Sequence, residues 1–243
     1  MRIQTRITLF ACVFAVLAAF AFGFTVLKYF SPNSDGVRDV LEVKFSAEDD
    51  GRIVSWKMVI ENSRGKVVRT IGNKTTLPTK ITAKGVLKQL TKAKESVIIP
   101  ETVAWDGTMD DGTLAPDGEY FYYIVVKDEN ENESKTKKYN VFLDNTKPSC
   151  SIKNLEGDDL IFGEGNKAVL KISQSGSKEK IWIGTITDIE GKTVRTIKFE
   201  NAAPQDFVWD GTDDSGMIVP DGVYNYALTG EDKAGNVSED AGL

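Results

Sequence analysis

Apolar and polar residues alternate along several short stretches of this chain, which is the pattern of half-buried β-strands. Residues 40–45 and 56–60 show the alternation. Residues 120–126 form a run of aromatic and β-branched side chains that suits a central strand. Turn-forming residues at 62–65 and 188–191 separate neighbouring stretches. Because many short strands follow one another at close spacing, the sequence predicts an all-β sandwich or barrel.

An internal repeat divides this strand-rich region into two copies. Two motifs recur at an offset of 104 residues: Trp105-Asp106-Gly107-Thr108 returns as Trp209-Asp210-Gly211-Thr212, and Pro116-Asp117-Gly118-Glu119-Tyr120 returns as Pro220-Asp221-Gly222-Val223-Tyr224. Upstream, residues 65–71 match residues 191–197 at an offset of 126. The first copy therefore carries an insertion of 22 residues between its two matching parts.

The repeat and a proline set the predicted domain boundaries. Residues 144–148 close the first copy with Pro148, where strand pairing must stop. We therefore expect module 1 at 28–147, with a Lys-rich insertion at 72–104, and module 2 at 148–243. Module 2 is predicted to lack a clear last strand, because only five mostly polar residues follow Ser238. Either the chain is a fragment of a longer array, or this sheet has an open edge that accepts a partner's strand.

The N-terminal segment predicts export from the cytoplasm. Arg2 and Arg6 precede an uncharged stretch, residues 7–27, that is rich in Ala, Phe, Leu and Val. This order is typical of a secretory signal, and the small-x-small pattern at 19–21 predicts that residues 1–21 are a cleaved signal peptide. Residues 7–27 are also long enough to span a bilayer as an uncleaved anchor helix. Both readings place the rest of the chain in the periplasm, at the cell surface or outside the cell.

Composition removes several classes of function. The chain has no histidine, which excludes Ser-His-Asp and Cys-His nucleophile systems and most zinc sites. Residues 28–147 hold 19 Lys and Arg against 19 Asp and Glu, and residues 148–243 hold 9 against 17. This balance argues against nucleic-acid binding, which needs clustered cations. Cys12 and Cys150 are the only cysteines, so a disulfide framework is excluded, and we expect Cys150 to be a small buried residue.

The repeated motifs combine a tryptophan with aspartates. We expect Trp105 and Trp209 to fill the cores, since large aromatic side chains dominate core energetics. Paired carboxylates can do acid–base chemistry, but each aspartate here lies in a stretch rich in glycine, where Asp stabilises turns. We therefore expect architecture and no enzyme activity from two clusters: Asp106, Asp110, Asp111 and Asp117, with Asp210, Asp213, Asp214 and Asp221.

One loop resembles a calcium site in its spacing. From Ser31 onward, oxygen-bearing side chains stand at loop positions 1, 3, 5, 9 and 12, with glycine at position 6. The candidate calcium ligands are Asn33, Asp35, Asp39 and Glu42. The alternative is a turn stabilised by Asn and Asp side chains, because serine replaces the expected first aspartate and Glu42 lies in a strand pattern. Calcium is the only cofactor considered; none is otherwise expected.

The insertion distinguishes module 1 from module 2. Residues 72–104 hold six lysines against two glutamates, and residues 82–94 form a short amphipathic helix pattern. The lysines are candidates for contact with an acidic or anionic partner: Lys84, Lys88, Lys92 and Lys94. The alternative is a decorated surface loop.

The two repeated motifs together resemble the FlgD-like Ig domain, which occurs as tandem modules in exported bacterial proteins. Residues 30–36 are similar to the opening of such modules in envelope proteins, notably those of spirochaetes. The resemblance covers residues 28–243 and implies two tandem antiparallel β-sandwiches of the Ig or fibronectin III type. It also implies that the motif residues are structural: Trp105, Asp106, Gly107, Pro116, Asp117, Gly118, Tyr120, Trp209, Asp210, Gly211, Pro220, Asp221, Gly222 and Tyr224.

Together these features predict a non-catalytic structural or adhesive protein of the bacterial cell envelope. We expect contacts with other envelope or surface proteins, and contact with the membrane only through an uncleaved N-terminal segment. One alternative is a calcium-dependent or glycan-binding adhesin. Another is an accessory Ig-like pair of a larger envelope enzyme or a flagellar-hook-type scaffold. A hook-capping protein itself fits poorly, because of the N-terminal signal.

Overall fold

A computed structural model describes most of the chain as two compact units, residues 1–144 and 145–243. The described residues are 6–10, 28–48, 52–73, 97–153, 155–163, 165, 167–238 and 241–242. The division between the units falls three residues before the boundary that the sequence predicts at 147/148. Strand pairing in the first unit ends at Leu143, and the Asp144 N–H still donates to the Phe30 carbonyl at 3.1 Å.

Unit 1 contains nine described strands. They are β1 (Arg6–Phe10), β2 (Lys28–Phe30), β3 (Leu41–Glu48), β4 (Ile53–Asn62), β5 (Val67–Gly72), β6 (Thr102–Trp105), β7 (Gly118–Asp128), β8 (Glu133–Lys135) and β9 (Tyr139–Leu143). The alternating and aromatic stretches at 40–45, 56–60 and 120–126 lie in β3, β4 and β7, as their patterns predict.

The strands of unit 1 form two sheets. One sheet has the order β1-β3-β6 and the other has the order β2-β9-β7-β4-β5, with β8 also paired to β7. All pairs are antiparallel except β2 with β9, which run parallel with Phe30 opposite Leu143. Buried side chains from both sheets meet between them, including Val43 and Trp105 from one sheet and Met58 and Ile124 from the other. Unit 1 is therefore a β-sandwich.

Unit 2 contains eight described strands and one short 3-10 helix, Gly157–Leu160. The strands are β10 (Cys150–Ile152), β11 (Leu170–Ile172), β12 (Gln174–Gly176), β13 (Ile181–Asp188), β14 (Thr193–Glu200), β15 (Phe207–Trp209), β16 (Tyr224–Glu231) and β17 (Ala241–Gly242). The main sheet has the order β14-β13-β16-β17, and two further pairs, β10-β12 and β11-β15, lie outside it. Ile172 and Trp209 of β11 and β15 share a core with Trp182 and Leu228 of the main sheet.

The sequence predicts that module 2 lacks a clear last strand, and the structure has a two-residue strand, β17, in this place. Strand β17 pairs antiparallel with β16, with Leu228 opposite Ala241 and Ala227 opposite Gly242. Shifted by the 104-residue offset of the repeat, this pairing lies in the register of β9 on β7. Its two residues compare with five in β9. The polar composition after Ser238 therefore did not prevent strand pairing.

The predicted all-β architecture is confirmed. The predicted signal or anchor helix is not seen at Arg6–Phe10, which pairs as a strand with β3, and residues 11–27 lie outside the described residues. Within the described part of the chain, no helix has the length and apolar character needed to cross a membrane. The predicted amphipathic helix at 82–94 also lies outside the described residues.

Candidate functional site

The Trp-Asp-Gly-Thr loop of unit 1 is closed by its own side chains. Trp105 at the end of β6 is fully buried, and its Nε1–H donates to the Thr108 carbonyl at 2.9 Å. Asp106 Oδ1 accepts from the Thr108 N–H at 3.0 Å and from the Thr108 hydroxyl at 2.6 Å. Gly107 between them has φ of 78°, a left-handed conformation that glycine adopts without strain.

Unit 2 builds the same loop with the same atoms. Trp209 Nε1–H donates to the Thr212 carbonyl at 2.9 Å. Asp210 Oδ1 accepts from the Thr212 N–H at 3.1 Å and from its hydroxyl at 2.7 Å. Gly211 again has φ of 78°. The motif therefore specifies one loop geometry twice.

The tryptophan of each loop packs between two aromatic rings. In unit 1 the centroids of Phe30 and Tyr120 each lie 5.2 Å from Trp105. In unit 2 Phe162 lies 5.3 Å and Tyr224 5.1 Å from Trp209, with similar tilts. Phe162 is thus the counterpart of Phe30.

The second motif anchors its tyrosine to its proline. The Tyr120 hydroxyl donates to the Pro116 carbonyl, and the Tyr224 hydroxyl donates to the Pro220 carbonyl, both at 2.6 Å. The intervening Asp-Gly pairs, 117–118 and 221–222, form the turn that this bond spans. Tilted aromatic packing adds to the free energy of burial, so each motif fixes its turn against the core.

An arginine in each unit completes the loop, and the sequence analysis missed both. Arg69 on β5 donates through Nη1 to the Met109 carbonyl at 3.0 Å, 40 residues away. Arg195 on β14 donates in the same way to the Asp213 carbonyl at 2.6 Å. Both arginines lie in the matching stretches 65–71 and 191–197, so the repeat carried the signal.

The next aspartate of each loop adds a backbone bridge to the same strand. Asp110 Oδ1 accepts from the Thr70 N–H at 3.1 Å, and Asp214 Oδ1 accepts from the Thr196 N–H at 3.0 Å. These bonds join the loop to the edge of β5 or β14. Three members of each predicted carboxylate cluster thus accept hydrogen bonds from their own loop or from the adjacent strand: Asp106, Asp110 and Asp111, with Asp210, Asp213 and Asp214.

Hydrogen bonding holds several of these carboxylates in the charged form. The Thr108 hydroxyl lowers the pKa of Asp106, and the Thr212 hydroxyl does the same for Asp210. In the same way the Thr113 hydroxyl lowers the pKa of Asp111. A general acid at neutral pH needs a raised carboxyl pKa, so these groups are unsuited to that role.

A second repeated turn, at Asp128 and Asp232, was also missed. Asp128 Oδ1 accepts from the Asn132 N–H at 2.8 Å, and its Oδ2 accepts from the Asn132 side-chain amide at 2.7 Å. Asp232 receives the equivalent bonds from Asn236 at 2.9 and 2.7 Å. Asp232 and Asn236 are buried. The recurrence of Asn132 as Asn236 in the sequence was the available signal.

The candidate calcium loop is held by hydrogen bonds to its carboxylates. Asp39 accepts from the Ser34 N–H at 2.7 Å and from the Gly36 N–H at 2.8 Å. Asp35 accepts from the Val37 N–H at 2.7 Å, and Asn33 Oδ1 accepts from the Asp35 N–H at 2.9 Å. Glu42 lies in β3. Within the described residues, no group of three or more His, Cys, Asp or Glu could hold a metal ion.

The remaining predicted contact residues cannot be placed. Lys84, Lys88, Lys92 and Lys94 lie outside the described residues.

Cys150 lies in β10, opposite Gly176 of β12, and partial burial raises the pKa of its thiol. A raised pKa disfavours the reactive thiolate at neutral pH.

Part of unit 2 matches the model of a known domain family. Residues 158–234 match the FlgD Ig-like domain. This range includes Trp209, Asp210 and the Pro220-Asp221-Gly222 turn, so the match confirms the resemblance drawn from those motifs. No curated protein is similar enough in sequence to count as a relative of the chain.

Solved structures similar to the chain contain fibronectin III-like modules. The fibronectin(III)-like modules of CbhA from Clostridium thermocellum are 13% identical over 89% of this chain and 86% of that one, with a TM-score of 0.40. A two-domain fibronectin type-III segment of chicken tenascin is 11% identical over 86% and 93%, with a TM-score of 0.32. A 1.5-MDa bacterial ice-binding adhesin is 13% identical over 89% and 59%, with a TM-score of 0.38. Likeness at this level says nothing about function.

Proposed function

We propose that this chain is a non-catalytic structural and adhesive protein of the bacterial cell envelope that works through protein–protein contacts. The observation that carries the proposal is the use of the same motif carboxylates in both units. Asp106 and Asp210 accept equivalent hydrogen bonds from Thr108 and Thr212. Because the most distinctive residues build the fold twice, specificity must come from other surfaces.

The absence of catalysis is part of the proposal. The sequence offers no histidine as a general base. Hydrogen bonds from their own loops lower the pKa of Asp106, Asp111 and Asp213. Groups held in the charged form by neighbouring donors stabilise turns better than they transfer protons.

Placement in the envelope is supported by the sequence of residues 1–27. Two arginines precede a long apolar stretch, which is the order of an export signal. Export delivers both units to a compartment where exposed loops and sheet edges meet other proteins. Extracellular Ig-like and fibronectin III-like modules commonly serve as such contact surfaces.

Site-specific photo-crosslinking in intact cells tests the proposed contacts. A photoreactive residue replaces one exposed apolar side chain at a time in the full chain, at Val37, Ile98, Val208 or Val223. These side chains are 48%, 90%, 56% and 67% exposed, so the changes spare the cores. We expect at least one position to give a discrete product with another envelope protein.

One result of the crosslinking experiment would contradict the proposal. If every variant accumulates as folded protein and none gives a discrete product, the proposal of a protein-contact function is wrong. A position whose product disappears when the protein is expressed at a lower level, while others persist, identifies random collision and serves as an internal control.

A further inference from the structure

The outer face of the larger sheet of unit 1 carries four aromatic side chains. Alternate residues of a strand point to opposite faces of the sheet. Tyr122 of β7 and Val141 of β9 lie in the core, so their aromatic neighbours in the sequence lie on the face away from the core, where they are partly exposed. Phe142 there stacks on Tyr29 of β2, with the ring centroids 4.9 Å apart. We name this surface the aromatic face: Tyr29, Phe121, Tyr123 and Phe142.

The fold does not require aromatic side chains at these places. Shifted by the 104-residue offset of the repeat, Phe121 and Tyr123 correspond to Asn225 and Ala227 of β16. Unit 2 pairs β16 with β13 through these residues, so the same sheet forms with an amide and a methyl group there. Tyrosine and phenylalanine are enriched at protein interfaces, which favours a contact role for the aromatic face.

Two lysines lie beside Tyr123 and share one carboxylate. The Lys135 ammonium is 3.7 Å from the centre of the Tyr123 ring, and the Lys138 ammonium is 5.6 Å from it. Lys138 forms an ion pair with the buried Glu61. Hydrogen bonding to Lys138 lowers the pKa of Glu61, and the charge of Lys135 adds to this effect. In the described part of the chain Lys135 has no ion pair of its own, so the cluster has a net positive charge.

Unit 2 carries the opposite charge to this lysine cluster. Residues 148–243 hold 9 Lys and Arg against 17 Asp and Glu. The longest segment of unit 1 outside the described residues, 74–96, has six lysines and one glutamate, so its sign is that of the cluster. Complementary charge steers association and fixes the choice of partner. A second copy of this chain therefore offers, in its unit 2, the charge that the aromatic face lacks.

One loop of unit 2 presents apolar side chains among carboxylates. Residues 210–221 contain four aspartates and no lysine or arginine. Within this loop Met217 is 68% exposed and Ile218 is 85% exposed, and we name these two residues the loop tip. Unit 1 has Thr113 in place of Met217. Leu114, the counterpart of Ile218, is 48% exposed although β9 pairs along the neighbouring strand, so the exposure of the tip does not depend on the length of the last strand.

Hydrogen bonds hold the loop tip in one conformation. Asp213 Oδ1 accepts from the N–H groups of Ser215 and Met217, at 2.8 and 2.9 Å. The Asp213 N–H donates to the Met217 carbonyl at 2.8 Å. Because these bonds close the loop before any partner arrives, little conformational entropy is lost when the tip binds.

We propose that the loop tip of one copy of this chain packs on the aromatic face of a second copy. Met217 and Ile218 contact the aromatic rings, and the aspartates of the loop lie near Lys135 and Lys138. The two surfaces are different, so the contact is heterologous and every copy has one of each. The inference rests on the proposed function, because it names the partner in one protein–protein contact.

Sedimentation velocity of the native full chain, at rising concentration, measures this self-association. We expect species larger than the monomer, and weaker association as salt rises, because the charges at the contact are screened. Lys135→Glu should lower the association constant by about tenfold or more. Lys44→Glu is the matched control and should have no effect, because Lys44 is exposed on β3 in the other sheet of unit 1.

Exchanges between the repeated units test each surface with residues that the fold accepts. A face variant combines Phe121→Asn with Tyr123→Ala, which gives unit 1 the residues of unit 2. A loop variant combines Met217→Thr, the residue of unit 1, with Ile218→Ser. Each variant should weaken self-association by about tenfold or more. Circular dichroism checks that both variants are folded, and the loop variant changes only exposed side chains.

Mixing the two variants shows whether the contact is heterologous. The face variant keeps its loop tip, and the loop variant keeps its aromatic face. Neither should associate alone, and an equimolar mixture should form a complex that contains both. The proposal is overturned if the native chain stays monomeric at every concentration, if Lys44→Glu weakens association as much as Lys135→Glu, or if the mixture forms no complex.

The occupant and the proposed function are tested separately. A photoreactive residue in place of Phe121 in intact cells should give a product that contains two copies of this chain. A discrete product with a different protein at this position would overturn the choice of a second copy. Crosslinks to another protein at Val37 or Ile98, together with no self-association, would leave the proposed function standing and remove the aromatic face from it.

Discussion

Trp209 packs against Phe162 and Tyr224 and donates from its ring to the Thr212 carbonyl. Trp209 is only 4% exposed. One side chain thus joins the core of unit 2 to the loop that follows β15. Its counterpart Trp105 holds the same position in unit 1.

Replacing this tryptophan should therefore be costly. Trp209→Ala should lower the free energy of unfolding by about 3–5 kcal/mol, because it leaves a cavity and breaks the ring's hydrogen bond. Chemical denaturation followed by circular dichroism measures the change. Val208→Ala is the control, since Val208 is next to Trp209 in the sequence and its own side chain is 56% exposed. A Trp209→Ala protein as stable as the parent would contradict the structural role.

Stability should also depend on pH through the loop aspartates. Asp106 and Asp210 have a folded-state pKa below the usual 3.8, chiefly because of the Thr108 and Thr212 hydroxyls. A lowered folded pKa stabilises the fold above the unfolded pKa, and this contribution is lost as pH falls through the folded value. We expect the melting temperature to fall as pH drops below about 4.

A threonine variant isolates this contribution. Thr212→Val removes the hydroxyl donor, so it should lower stability near neutral pH and make the acid-induced fall smaller. Thr193→Val, on the exposed side of β14, should leave the pH profile unchanged. Parallel pH profiles for Thr212→Val and the parent would contradict the assignment.

At the scale of elements, the two units pack the equivalent tryptophans, Trp56 and Trp182, differently. Trp182 on β13 lies opposite Gly230 of β16, and a Cβ added there would lie 2.6 Å from the Trp182 ring. In unit 1, Trp56 lies opposite Val126. Trp182 is fully buried, whereas Trp56 is partly exposed. The glycine gives the tryptophan room to enter the core.

Valine, the residue that unit 1 has opposite its tryptophan, should not fit opposite Trp182 in unit 2. Gly230→Val should lower the free energy of unfolding by about 1–3 kcal/mol, because overpacking forces the Trp182 ring to shift. Gly222→Ala is the control, since its nearest neighbour would be 3.9 Å away. Denaturation curves of both variants decide the matter, and a Gly230→Val protein no less stable than Gly222→Ala would refute it.

The sequence predicted the strands better than the contacts between distant residues. Alternation located β3 and β4, the aromatic and β-branched run located β7, and the repeat located both tryptophan loops. Arg69 was missed because its partner carbonyl is 40 residues away, and no local pattern records such a bond. The parallel pairing of β2 with β9 was missed for the same reason. The two-residue strand β17 was not located, because the residues after Ser238 show no alternation of apolar and polar side chains.

At the scale of the whole molecule, export is the prediction that can be measured first. The intact mass of the native protein is measured from fractionated cells, with and without external protease. It distinguishes a chain whose N-terminal segment has been cleaved from one that keeps it as an anchor. We expect a mass that begins at Phe22, as cleavage after Ala21 requires. A mass that retains Met1 would support the anchor alternative, and recovery in the cytoplasmic fraction would contradict export.

The most direct test of the account separates fold from contact in one protein. Asp210→Ala is combined with the photoreactive residue at the position that gives a discrete crosslink, and melting temperature and crosslink pattern are measured on the same sample. We predict a lower melting temperature, because the loop loses its acceptor for Thr212, with an unchanged crosslink pattern well below melting. An unchanged melting temperature with a lost crosslink would mean that Asp210 itself makes the contact, and would contradict the account.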